Sequence, residues 1–256
     1  MHQTEPFKLQ SRVWPETGES LACWITRTAY HNRLSGPELL SFLCRGSPPR
    51  GDIDATSDRS LLTRLSNACQ CPPDLAFSTC EMTIDRAFVA RSPVNPKRVW
   101  LALSGPTDRQ YARVSRYQVC PICLTADRVP HLRLNWHFAY TAVCDEHAVV
   151  LLDACPHCTS PIYLCLSDAN VCVKSLYSCA KCGTDFRNVL MSPCSNSAIK
   201  FQALVRAAMR SGYFTLGSEG AFYSHLLRDL IAVLAPVFLS NGSQRATARA
   251  VRRLMC

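Results

Sequence analysis

Four ligand pairs constrain this chain more than any other feature. Cys120 and Cys123 (CPIC), Cys144 and His147 (CDEH), Cys155 and Cys158 (CPHC), and Cys179 and Cys182 (CAKC) each enclose two residues. That spacing lets one tight turn aim two side chains at a single tetrahedral ion. The first and third pairs lie 35 positions apart, and so do the second and fourth. The segment is therefore a tandem repeat, C-x2-C-x20-C-x2-(C/H). Eight such ligands at a repeated spacing point to two structural Zn2+ ions per chain. Buried thiols or redox-active CxxC pairs do not account for four pairs at once.

Two pairings satisfy the ligand count. In the sequential one, pairs one and two share an ion and pairs three and four share another. In the interleaved one, pairs one and three share an ion, as do two and four. The intervening loops hold 20 or 31 residues respectively. Loop-closure entropy separates them by only about a few tenths of a kcal/mol. The duplication argues more strongly, because a repeated unit most simply closes on itself. Residues 148–154 then read as the hinge between two units. His157 lies off the two-residue spacing and reads as a non-ligand. Cys165 and Cys172 enclose six residues and fit no such turn. Cys23, Cys44, Cys69, Cys71, Cys80, Cys194 and Cys256 have no paired spacing and read as core or surface thiols. A four-ligand site lacks the open position of a catalytic zinc. No nucleophile–base pair, phosphate-cradling glycine loop or carboxylate cluster suits an enzyme, so the expectation is a non-catalytic protein.

Charge divides the chain. The formal net charge is +9 over 256 residues. Residues 1–80 are balanced, 81–118 carry a net +4, 119–190 a net −1 and 191–256 a net +6. A basic balance leans toward a polyanionic partner, and here it would act through the middle and C-terminal segments. No run of about 18 apolar residues could span a membrane, and the first residues hold no signal-peptide pattern. The expectation is a cytoplasmic, nucleoid-associated protein, in a compartment where disulfides are rare.

The expected fold is mainly α with small zinc-stapled units, in four parts. Residues 1–91 form a helical, helix-turn-helix-like domain. Leu21, Trp24, Ile25 and Thr28 follow helical spacing. Asn32 to Ser35 forms a break, and Ser35 with Glu38 matches a capping box. Arg33 stands where the turn of a helix-turn-helix usually has glycine. Residues 61–80 repeat the plan, with a helix through Ala68, a turn at Cys71–Pro72 and a helix from Pro73. Residues 92–118 are a basic connector with Lys97 and Arg98 as candidate contacts. Residues 119–190 hold the tandem zinc-finger region. There, His131 to Val143 fits a strand and a helix equally well, and Trp136 reads as core. Residues 191–256 form a basic helical region, with helices over 195–212 and 218–240. Arg245, Arg249, Arg252 and Arg253 fall on one helix face. That face either grips phosphates or is simply solvated.

The stretch YQVCPICLTADRVPHLRLNWHFAYTAVCDEHAVVLLDACPHCTSPI resembles the signature of the TniQ family, as does the opening W-P-E-T-G-E-S-L-x-x-W-I-x-R. The resemblance runs from residue 12 to about 188. It implies a helix-turn-helix-like N-terminal part, two zinc-finger motifs with sequential pairing, and a non-enzymatic adaptor in DNA transposition. It implies as partners an AAA+ transposition regulator, target DNA bound weakly and, in CRISPR-associated transposons, an RNA-guided effector complex, sometimes with the adaptor as a homodimer. It carries the metal ligands onto Cys120, Cys123, Cys144, His147, Cys155, Cys158, Cys179 and Cys182. One departure is Thr159, where family members often have glycine. The alternative is a zinc-containing, sequence-specific DNA-binding transcriptional regulator.

Overall fold

A computed structural model of the chain describes residues 9–44, 52–54, 58–80, 114–138, 140–165, 176–215 and 221–223. Helix α1, Leu21–His31, begins where the Ser20 hydroxyl accepts from the Cys23 N–H at 3.3 Å. That cap satisfies one donor that the first turn cannot pair internally. Leu21, Trp24, Ile25 and Thr28 are fully buried along one face. The helix ends as the chain passes through Arg33 in a left-handed conformation, φ 57°. Helix α2, Gly36–Leu43, opens with the expected reciprocal box. Ser35 N–H donates to Glu38 Oε2 at 2.7 Å, and Glu38 N–H donates to Ser35 Oγ at 3.4 Å.

Helix α3, Arg59–Cys69, is capped by Asp58 and stops at Gln70, also left-handed at φ 54°. Helix α4, Pro73–Phe77, follows at once. Both sequence-predicted helix pairs therefore form as helices joined by a left-handed residue that is not glycine. Lys97 and Arg98 lie outside the described residues.

The remainder combines short helices with two-stranded sheets. Strand β1, Val114–Tyr117, leads into helix α5, Pro121–Ala126. Strands β2, Val143–Cys144, and β3, Val149–Val150, form a small antiparallel pair. Strand β4, Ile162–Cys165, runs antiparallel to β1 with Tyr117 opposite Ile162. Residues 131–143, which fit either period in the sequence, contain a short 3-10 turn at Leu134–His137 instead. Trp136 is buried there, with the Arg133 guanidinium 4.8 Å above its ring.

Helix α6, Asn196–Ser211, is capped by Ser195 and ended by Gly212 at φ 77°. The expectation of a helix over 218–240 is corrected at its start. Ala221–Tyr223 is a strand, β6, paired antiparallel with β5, Tyr213–Thr215. The left-handed Gly212 reverses the chain after α6, and the aromatic run Tyr213–Phe214 has the β preference to use that reversal. The rest of that span, Arg245, Arg249, Arg252 and Arg253 lie outside the described residues.

One buried cluster runs from Leu9 through α1, α2 and α3 into the cysteine-rich part as far as Phe186. The WPETGES stretch makes that join. Gly18, left-handed at φ 74°, offers its carbonyl to Leu134 N–H at 2.8 Å. Ser20 N–H donates to Leu132 O at 2.9 Å, and Leu132 N–H reaches Cys23 Sγ at 3.2 Å. Glu19, fully buried, pairs with Arg27 one helix turn inside α1. The motif thus fastens the helical layer to residues 131–134 through its backbone. No described helix is long and apolar enough to cross a membrane.

Candidate metal centres

Each ligand pair sits on a turn that the local sequence closes. Leu124 N–H donates to Cys120 O at 3.1 Å, Thr159 N–H to Cys155 O at 2.9 Å, and Gly183 N–H to Cys179 O at 2.8 Å. The residue that follows the pair closes the turn in all three. At the first pair, Pro121 fits the first helical position and the turn runs on as α5. At the other three the next residue is left-handed, with Ala148 at φ 50°, Thr159 at φ 56° and Gly183 at φ 74°. Thr159 therefore occupies a conformation that glycine adopts without strain.

The fold brings pair one to pair two and pair three to pair four. Cys120, Cys123, Cys144 and His147 place their ligand atoms within 4.8 Å of one another, and so do Cys155, Cys158, Cys179 and Cys182. This is the sequential grouping. In the first centre Cys123 Sγ lies 3.5 Å from Cys144 Sγ and 3.3 Å from His147 Nδ1. His147 Nδ1 is 3.7 Å from Cys120 Sγ and 3.5 Å from Cys144 Sγ. In the second, Cys155 and Cys182 are 3.6 Å apart, as are Cys158 and Cys179. A tetrahedral zinc with ordinary bond lengths requires about 3.8 Å between two sulfurs and about 3.6 Å between sulfur and nitrogen. The donors fit that ion in number, chemistry and spacing, and both groups can hold one.

Within each centre the thiols are shifted in opposite directions. Hydrogen bonds from Cys123 and then Cys144 hold Cys120 down at about 3, while the same sharing pushes Cys123 far up. In the second centre the Thr184 hydroxyl, 3.1 Å from Cys182 Sγ, leads the groups that lower Cys182 to about 5. Burial raises Cys179 to about 12. The first centre is the more enclosed. All three of its cysteines are buried, whereas Cys182 is exposed.

Residues 148–154 are not the hinge that the spacing suggested. Val149 pairs with Cys144, Leu152 exchanges two 2.8 Å hydrogen bonds with Val119, and Ala154 bridges to Pro161. Residues 149–152 and Ala154 are thus held by backbone partners on either side of the span.

A further buried polar group escaped the sequence reading. Asp54 accepts from Ala22 N–H at 2.8 Å and from the Tyr117 hydroxyl, which lies 2.7 Å from Ser20 Oγ. Beside it, His137 donates Nδ1–H to Arg116 O at 2.6 Å and sets Nε2 2.9 Å from Asp52 Oδ2. Burial, then the Asp52 carboxylate, raises Asp54 to about 6. These residues are scattered from position 20 to 137, and no spacing rule links them. Their groups hydrogen-bond one another and join the segment at 52–54 to α1 and β1.

A family model described as TniQ matches residues 11–151. That span holds the WPETGES stretch, both helix pairs and the whole first centre. It ends before Cys155, so the second centre lies beyond it, although the motif resemblance reached to about residue 188. No curated protein matches the chain. The match covers more than half of the 256 residues, and the chain belongs to the TniQ family.

Proposed function

We propose that this chain is a non-enzymatic adaptor of DNA transposition that links an AAA+ transposition regulator to target DNA or to an RNA-guided targeting complex. The observation that carries the reading is the family match over residues 11–151, which supports a transposition-associated adaptor role. On this reading Cys120, Cys123, Cys144 and His147 hold one zinc and Cys155, Cys158, Cys179 and Cys182 hold a second. Zinc supplies cross-linking to a segment whose sheets are too small to stand alone. Residues 1–91 then act as the helix-turn-helix-like part, 92–118 as a basic connector and 119–190 as the paired zinc units. Residues 191–256 supply most of the net positive charge, and DNA is bound weakly.

The helix pairs favour an adaptor over a sequence-specific regulator. The commonest base readers are Arg, Lys, Asn and Gln at the exposed face of the second helix. Helix α2 reads GPELLSFL and α4 reads PDLAF. Neither contains any of those four residues, and each carries an acid. The test compares binding of the purified chain to DNA and to its AAA+ ATPase. The expected result is weak DNA binding that falls steeply with salt, alongside firm binding to the ATPase. Preference for one DNA sequence by roughly 1,000-fold over random DNA would reverse the choice in favour of the regulator.

A further inference from the structure

We propose that Gln202 and Arg206 of α6 are positioning residues for the first metal centre, so that a helix lying beyond the second centre in sequence completes the first. The proposal rests on the reading of both centres as zinc sites.

The observations converge on the turn between Cys144 and His147. Gln202 is buried, and its side-chain amide is used to its full capacity. Oε1 accepts from Ala142 N–H at 2.8 Å and from Val143 N–H at 3.0 Å. Nε2 donates to Val143 O at 3.0 Å and to Asp145 Oδ1 at 2.9 Å. Two acceptances and two donations exhaust what a glutamine offers. These bonds fix the backbone just before Cys144 and the side chain just after it. Arg206, one turn further along α6, pairs with the other oxygen of Asp145 at 2.6 Å.

The chain leading into α6 holds the far side of the same turn. Cys194 N–H donates to Ala148 O at 2.9 Å, directly after His147, and Val150 N–H donates to Ser192 O at 2.9 Å. Residues 192–206 thus grip the ligand pair before, within and after it. Among the described residues, the ligand turns of the second centre are closed by bonds from within its own segment, such as Cys155 N–H to Ser160 O and Cys179 N–H to Thr184 O. The asymmetry makes the second centre an internal control.

Outer partners that orient metal ligands typically change affinity about 10- to 100-fold when removed. Coupling is also reciprocal, so a helix that steadies the metal is steadied by it. Timed release of zinc from the full chain to a chelator reads both ions at once, and Cys144→Ser and Cys179→Ser chains assign the two phases. Gln202→Ala and Arg206→Gln are expected to speed the first-centre phase, the former by about 10-fold or more, and to leave the second within about twofold. Gln202→Glu loses both donations and sets a carboxylate against Asp145, so it should be at least as fast as Gln202→Ala. Should the Gln202 variants fail to fold, hydrogen exchange serves. Amides of 198–208 should exchange faster in Cys144→Ser than in Cys179→Ser. Unchanged release, equal acceleration of both phases, or equal exchange in the two serine chains overturns the proposal. A wild-type content below two zinc ions overturns the zinc reading itself and this proposal with it.

Discussion

At Cys144 the whole chemistry of the first centre meets. Its thiol faces Cys123 and His147, and the backbone on either side is held by neighbours. Cys144→Ser should lower the zinc content of the purified chain from two ions to one, measured by elemental analysis. His157→Ala should leave it at two, because His157 is absent from both ligand groups. A different kind of test applies to Asp54. Its folded value stands at about 6 against an ordinary 3.8. The folded state therefore binds the proton more tightly than the unfolded one. The stability that this proton contributes is complete below about pH 4 and is lost as pH rises through about 6. Asp54→Asn removes that titration. Its melting temperature relative to the native chain should rise from pH 4.5 to pH 7, by the equivalent of at most about 3 kcal/mol. A difference that stays flat over this window would detach Asp54 from the pH response. Measuring the difference cancels the acid release of zinc, which both chains share.

The helices and turns make their own predictions. The Ser35–Glu38 box serves an exposed helix start, so Ser35→Ala should cost about 1 kcal/mol, read as a shift in the denaturant midpoint. Gly183 is left-handed, and a Cβ there would meet nothing within 4 Å. Gly183→Ala should therefore register backbone strain alone, about 1–2 kcal/mol, with zinc content still two. Thr159 already bears that kind of strain at the equivalent place in the third turn. Arg33 and Gln70 do the same between helices. In each case a hydrogen bond closes the turn regardless. Leu34 N–H donates to Ala29 O at 2.9 Å and Cys71 N–H to Ser66 O at 3.0 Å.

Across the whole molecule, the helical layer and the metal units share one buried cluster. The pairing of Glu19 with Arg27 lies at their junction, almost wholly out of water. Arg27→Met would strand the Glu19 carboxylate, and loss of one partner of a buried pair costs about 3–5 kcal/mol. The continuity also predicts that metal removal is felt outside the cysteine-rich part. Chelation should accelerate hydrogen exchange in α1, whose start is tied to residues 132–134. Exchange in α1 that ignores the chelator would mean the two layers are held independently.

The gathering of the eight Cys and His side chains into two groups, the Ser35–Glu38 capping box, the helix start at Pro73 and the burial of Trp136 were all legible in the sequence. Each depends on residues within a few positions of one another, where turn closure and helical period leave few choices. The repeat likewise indicated a sequential grouping, because its evidence is a spacing. Three things were decided only by the tertiary structure. Residues 148–154 became a backbone-paired segment around the short strand Val149–Val150 rather than a hinge, because Val119 and Cys144 come to lie alongside it. The Asp54–Tyr117–Ser20 group assembled from segments up to 97 positions apart. Gln202 found the turn before Cys144 from 59 positions away. A buried polar side chain must find partners wherever packing supplies them, and packing is a property of the folded chain, which a local pattern does not encode.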